Sequence, residues 1–200
     1  MGMRIQAGQH KGRKLLSPSG RAATRPITGA ARKALLSMLE PYLPDALVLD
    51  LYCGTVTLGL EALSRGAGRV CFAERSRSTL ARLRRNIEAL DATGRCTVWC
   101  GDVPAALPGW LAQLDAPVDL AFVDPPYPTS RRWAEGGWSG PGRDVLEALA
   151  GRLAADGRLA LRTDARSAPP AGIAGLATDR VRRYGDMAVV LLAPAERGEP

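Results

Sequence analysis

Apolar residues fall along this chain in two alternating patterns. Residues 47–51, 70–74, 96–100, 118–123 and 158–162 form short runs with the length and side chains of buried strands. Between them the apolar spacing turns helical. Thr28 is placed to cap a helix that runs to about Leu39, with Ala31, Ala34, Leu35, Met38 and Leu39 on one face. Pro41 and Pro44 end it. Residues 58–64 are helical after a glycine loop. Ser76 caps a helix to about Leu90, which carries Leu80, Leu83, Ile87 and Leu90 at helical spacing. Residues 144–153 form a further helix. Strand, loop and helix in repetition predict an α/β fold with a parallel sheet and right-handed crossovers.

The two ends break this rhythm. Residues 180–184, Gly185-Asp186 and residues 187–192 predict a hairpin, an antiparallel pair closing the sheet. Residues 4–8 and 12–16 flank a turn-like centre at Gln9-His10-Lys11, which predicts a small N-terminal β-hairpin. Residues 128–143 hold Arg131, Arg132, Trp133 and Trp138 among several glycines. They read as a loop, either mobile with its tryptophans stacking on nucleic acid, or settled with them packed locally.

Composition narrows the class. Of the 200 residues, 46% are hydrophobic and 24% charged, as in an ordinary soluble domain. No apolar run is long enough to cross a bilayer, and residues 1–5 show no apolar signal core, so a cytoplasmic location without membrane contact is expected. Cys53, Cys71, Cys96 and Cys100 lack metal-binding spacing, and the lone histidine, His10, is remote in sequence, so no metal is expected. Cys71, Cys96 and Cys100 read as reduced core residues.

The formal charge of +7 is unevenly placed. Residues 1–39 hold eight Lys and Arg and no acid, whereas the other 161 residues hold 19 basic and 20 acidic residues. A polyanion is the simplest partner for such an end. The candidate contacts are Arg4, Lys11, Arg13, Lys14, Arg25 and Arg32.

Candidate chemistry gathers at strand ends. Asp50, Glu74 and Asp102 close or follow three successive strands, and the loop from Gly54 to Gly59 follows the first. A glycine loop with an acid about 20 residues on suits the ribose of a nucleotide-like ligand, either a dinucleotide or S-adenosylmethionine. Asp102 is placed to take an adenine amino group. Asp124-Pro125-Pro126-Tyr127 follows the fourth strand. Asp124 can accept a hydrogen bond from a base amino group. Pro125 and Pro126 stiffen the turn. Tyr127 offers a flat face for stacking.

These motifs together resemble the bacterial 16S rRNA guanine-N2 methyltransferase family of the RsmD type, within the class I S-adenosylmethionine-dependent methyltransferases. The resemblance rests on Arg4-Ile5, Ala7-Gly8, residues 12–15, Thr24-Arg25-Pro26, residues 49–54, residues 58–67, Glu74, Asn86, residues 122–127 and residues 184–186. It implies a Rossmann-like, mostly parallel seven-stranded sheet with helices on both faces. It also implies an RNA-binding extension over residues 1–27 and a methyltransferase domain over 28–193; the tail over 194–200 reads as flexible from the chain itself. Asp50, Tyr52, Gly54 and Gly59 would hold the methionine part of S-adenosylmethionine, Glu74 its ribose and Asp102 its adenine. Residues Asp124, Pro125, Pro126 and Tyr127 would present a flipped guanine whose N2 is methylated. The implied partner is 16S rRNA in the small ribosomal subunit particle, met by a monomer.

Two departures from the family pattern open alternatives. Val56 stands where the family's loop has its middle glycine, and a β-branched residue resists positive φ. Residues 28–33, Thr-Gly-Ala-Ala-Arg-Lys, lack the acids and first arginine of the family's block. Hence a catalytically impaired RNA-binding or ribosome-assembly protein on the same fold is a second reading. Because D-P-P-Y is shared, a DNA amino-methyltransferase is a third.

Overall fold

The computed structural model describes residues 3–17, 27–54 and 58–195. Five strands, β1 (Leu47–Leu51), β2 (Arg69–Glu74), β3 (Cys96–Cys100), β4 (Val118–Val123) and β5 (Leu153–Asp164), run parallel. β6 (Leu176–Tyr184) and β7 (Met187–Pro194) form the expected antiparallel hairpin, and β7 pairs antiparallel with β5. The order across the seven-stranded sheet is β3-β2-β1-β4-β5-β7-β6. β1 lies centrally and is buried along its whole length, as its unbroken apolar run requires.

Helices cover both faces. α1 (Gly29–Met38), α2 (Leu58–Ser64) and α3 (Arg77–Ala89) lie over one apolar layer, which includes Val48, Val70, Phe72, Leu120 and Phe122. α4 (Val103–Leu111), α5 (Tyr127–Glu135) and α6 (Pro141–Ala150) cover the other, which includes Leu49, Leu51, Cys71, Val123 and Leu161. Alternate residues of one strand thus feed opposite layers. The side-chain oxygens of Thr28 and Ser76 cap α1 and α3, accepting from the Ala31 and Thr79 amides.

Two expectations change, and one open choice is decided. Residues 128–143 are not a loop, because α5 and the start of α6 occupy most of them. Trp133 and Trp138 are buried: Trp133 packs edge-on to Tyr52, and Trp138 donates from Nε1 to the Ala168 carbonyl at 2.9 Å. They pack locally and offer no ring to RNA. Cys100 is exposed at the edge of the sheet and is not a core residue, although Cys71 is buried.

The N-terminal hairpin is reduced to one bridge, Arg4 to Lys14, with flanking backbone bonds from the Ile5 and Leu15 amides to the Arg13 and Met3 carbonyls. It lies on α2 and α3. The Gln9 amide donates to the Ser64 carbonyl at 2.8 Å, and the Gln6 amide to Glu61 at 2.8 Å. Asn86 grips Leu16 through both its amide and its carbonyl. Gly8 makes this approach possible: at φ +79° its added Cβ would strike the Ser64 carbonyl. Thr24, Arg25 and Pro26, part of the expected RNA-binding block, lie outside the described residues. Of the expected tail, Pro194 is paired with Leu176 in the sheet, and residues 196–200 lie outside the description.

Candidate active site

The carboxyl ends of the parallel strands meet at one rim. Leu51 pairs with Ala73 on one side and Val123 on the other, so Tyr52, Glu74 and Asp124 stand at one level. Glu74 pairs with Cys100, which brings Asp102 to the same edge. Backbone bonds carry the ladder one step further: the Cys53 amide donates to the Ala73 carbonyl, and the Asp124 amide to the Leu51 carbonyl. The sheet therefore gathers all four acids singled out in the sequence.

Asp50 is buried and faces α2, where it accepts from the Gly59 amide at 2.8 Å. Burial pushes its carboxyl up to about 7; the Gly59 bond opposes this, and the Asp124 and Glu74 charges add to it. Gly59 is required there, since a Cβ would collide with the Phe72 ring and crowd the Asp50 carboxylate. Glu74 accepts from the Gly54 amide at 3.2 Å and the Ser76 amide at 2.8 Å, one bond to each oxygen. Each oxygen keeps acceptor capacity for a ligand hydroxyl. Asp102 is exposed at the start of α4 and makes no capping bond, so among the described residues its carboxylate is free to accept.

Tyr52 sits at φ +60°, a conformation uncommon for a large side chain. Its hydroxyl is buried without a hydrogen-bond partner among the described residues. Three acceptor carboxylates on adjacent strand ends, a buried orphan hydroxyl and a glycine opening the loop suit a nucleoside-bearing ligand. The middle of that loop, residues 55–57 with Val56, lies outside the described residues.

Beyond β4, Pro126 leads into α5, whose first residue is the half-buried Tyr127. Sequence reasoning missed the partner of this motif. Arg162, buried on β5, makes an ion pair from its Nε to Asp124, and its guanidinium lies 5.5 Å from the centre of the Tyr127 ring. Burial raises the Asp124 carboxyl to about 6, against the opposing charge and hydrogen bond of Arg162. Arg162 gave no signal in the sequence because its partner is 38 positions away and they meet only across the β4–β5 register.

Comparison with known proteins places the chain. Residues 3–193 match the family described as "Conserved hypothetical protein 95", the RsmD family. The chain belongs to this family. RsmD-type relatives include Escherichia coli strain K12 "Ribosomal RNA small subunit methyltransferase D", 38% identical over 125 residues. That match covers 62% of this chain and 60% of the relative. Bacillus subtilis strain 168 "Putative rRNA methyltransferase YlbH" is 34% identical over 125 residues, covering 62% of this chain and 67% of the relative. The alignments thus span 60% to 67% of these relatives' length. Among solved structures, "Putative methyltransferase yhhF" from Escherichia coli superposes with a TM-score of 0.78 at 31% identity, covering 97% of this chain and 98% of that one. This RsmD-type chain is a methyltransferase by family and by fold.

The basic residues divide. Lys11, Arg13 and Lys14 are exposed on the hairpin, and Arg4 is exposed beside them with a guanidinium bond to the Gly12 carbonyl at 2.7 Å. Arg32 differs. It is buried, stands 3.6 Å from Glu61, and bonds to Gln6 and the Arg4 carbonyl. Its charge compensates a buried acid and holds the hairpin to α1, which leaves it unsuited to phosphate contact. Arg25 lies outside the described residues.

Proposed function

We propose that this protein transfers the methyl group of S-adenosylmethionine to the exocyclic N2 of a guanosine in 16S rRNA of the small ribosomal subunit. The observation that carries this reading is the common rim of Asp50, Glu74, Asp102 and Asp124 on neighbouring parallel strands. Asp50, Tyr52, Gly54 and Gly59 hold the methionine end of the donor, Glu74 its ribose and Asp102 its adenine. When bound, the donor supplies a methyl group made electrophilic by a sulfonium. The protein's residues do the rest: Asp124 accepts a hydrogen bond from the base amino group and turns its nitrogen towards the methyl carbon.

Pro125 and Pro126 fix the carboxylate's position through their locked φ. Arg162 covers one face of Tyr127, which leaves the other face for the extruded base. Rate comes mainly from this alignment. RNA as the substrate is supported by the exposed basic hairpin and by the relatives' names. The small-subunit particle is the expected partner, met in the cytoplasm by a monomer that needs no metal.

The deciding experiment offers labelled donor with small-subunit particles, naked 16S rRNA and duplex DNA, for the native protein and Asp124→Ala. Label should enter guanosine N2 in ribosomal RNA only. Asp124→Ala should lose at least 100-fold in kcat, on the order expected for removing one positioned acceptor, while calorimetry finds its donor affinity nearly unchanged. Label in DNA would transfer the site to the third reading, and absence of donor binding would transfer it to the second.

A further inference from the structure

Ion pairing sorts the arginines of this fold into two groups. Arg32, Arg65, Arg69, Arg131, Arg143, Arg158, Arg162 and Arg166 each have a carboxylate partner. The stretch 75–95 is different. It holds Arg75, Arg77, Arg82, Arg84, Arg85 and Arg95 against only Glu88 and Asp91, and among the described residues none of these six is ion-paired. Counting charges by sequence segment hides this, because acids elsewhere in the body cancel the total.

The fold then joins this stretch to the N-terminal hairpin. Positions 82, 85, 86 and 89 share one side of α3 by helical spacing. Two of them touch the hairpin: Asn86 binds Leu16, and the Ala89 carbonyl accepts from the Arg13 guanidinium at 2.7 Å. At the foot of α3, Arg95 and Arg13 stand close enough to His10 to lower its pKa, after burial, so the imidazole stays neutral and competes with neither. At the other end, α3 begins three residues after Glu74, on the donor's rim.

The geometry points to a basic track along α3, formed by Arg82, Arg85 and Arg95 with Arg13 and Lys11 of the hairpin, that holds the phosphate backbone of the substrate RNA and leads it to the rim. The inference rests on the proposed function and adds to it a second binding element. Guanidiniums without a carboxylate partner suit phosphates, each contact releasing counterions. An acidic protein would also be attracted, but the course of α3 towards the rim at its start favours the strand that carries the target base.

The test compares R82Q/R85Q/R95Q with R180Q/R182Q/R183Q, which removes three exposed arginines from β6 at the opposite edge of the sheet. The probe is 16S rRNA in small-subunit particles, and binding is measured against salt. The α3 variant should lower the slope of log K against log salt by roughly 2–3 and weaken binding at least tenfold near 0.1 M salt. The β6 variant should leave the slope within 0.5 of the native value. Circular dichroism and donor calorimetry should match the native protein for both. An unchanged slope for the α3 variant, or an equal loss in both, would overturn the track. A native protein that binds particles along this track yet transfers no methyl would overturn the proposed function and spare the track.

Discussion

Asp124 and Asp50 carry the same side chain into the same rim and meet different fates. Asp124 is raised by burial but has Arg162 against it, so its ionised form prevails above about pH 6. If Asp124 must accept a hydrogen bond, methyl transfer should rise with pH through a midpoint near 6. Arg162→Gln removes the cation that favours the charged form, so that midpoint should move upward, and kcat at pH 6.5 should fall several-fold. Arg162→Lys should keep the midpoint but lose part of kcat, because an ammonium cannot reproduce the flat contact with Tyr127. A pH–rate profile for the three proteins decides; an unmoved midpoint in Arg162→Gln would reduce Arg162 to packing. Among the described residues Asp50 has no such cation, and its carboxyl sits near 7 in the folded protein against an ordinary value near 4. The folded state therefore holds a proton that the unfolded state has released across that window, and stability falls as pH rises through it. Asp50→Asn can still accept from the Gly59 amide. It should be more stable than the native protein at pH 8, by about 1–3 kcal/mol, and equal to it near pH 4, while losing donor affinity. Urea midpoints at the two pH values check the sign.

Elements built from a single strong pattern were legible in the sequence. β3 and β4 match their expected bounds, and α1 and α3 start at their expected caps. α4 and α5 were not legible, because each carries prolines that mark turns in most contexts. Here Pro104 and Pro128 lie in the first turns, where no amide partner is lost, and only Pro108 breaks a helical bond. Of the site, the four acids at strand ends could be read from the chain, because alternation of strands and helices dictates where such ends meet. The Arg162 pair could not, nor could the burial of Arg32 beneath the hairpin, since both depend on contacts between distant segments. The junction of hairpin and α2 makes its own prediction. Gly8→Ala imposes a side chain at positive φ and against the Ser64 carbonyl, with Gln9 and His10 bonded beside it. The variant should lose on the order of 2–4 kcal/mol of stability and bind rRNA more weakly, with donor affinity retained. Equal thermal midpoints for the variant and the native protein would mean that the hairpin is not seated as described.

Seen as one object, the molecule joins its strand-end rim and its basic hairpin through α2, with buried charge between them. Glu61 is fully buried, and burial raises its carboxyl despite the Gln6 amide and the nearby Arg32 and Arg65. One of its partners comes from the hairpin, one from α1 and one from the end of α2, so the hairpin completes a site in the body's interior. Ile5 and Leu15 belong to the same apolar layer as Leu63 and Leu83. An N-terminal extension seated in this way cannot be a detachable module. Removing residues 1–17 exposes that layer and leaves Glu61 without its backbone donor, each a cost of a few kcal/mol against a domain stability of about 5–15. The native protein should therefore unfold in urea in one transition, with hairpin and sheet probes coincident. The truncated protein should show a markedly lower midpoint and reduced donor affinity, although no donor contact is assigned to the missing residues. Intact donor binding at an unchanged midpoint would show instead that residues 28–193 stand alone, with the hairpin only resting on them.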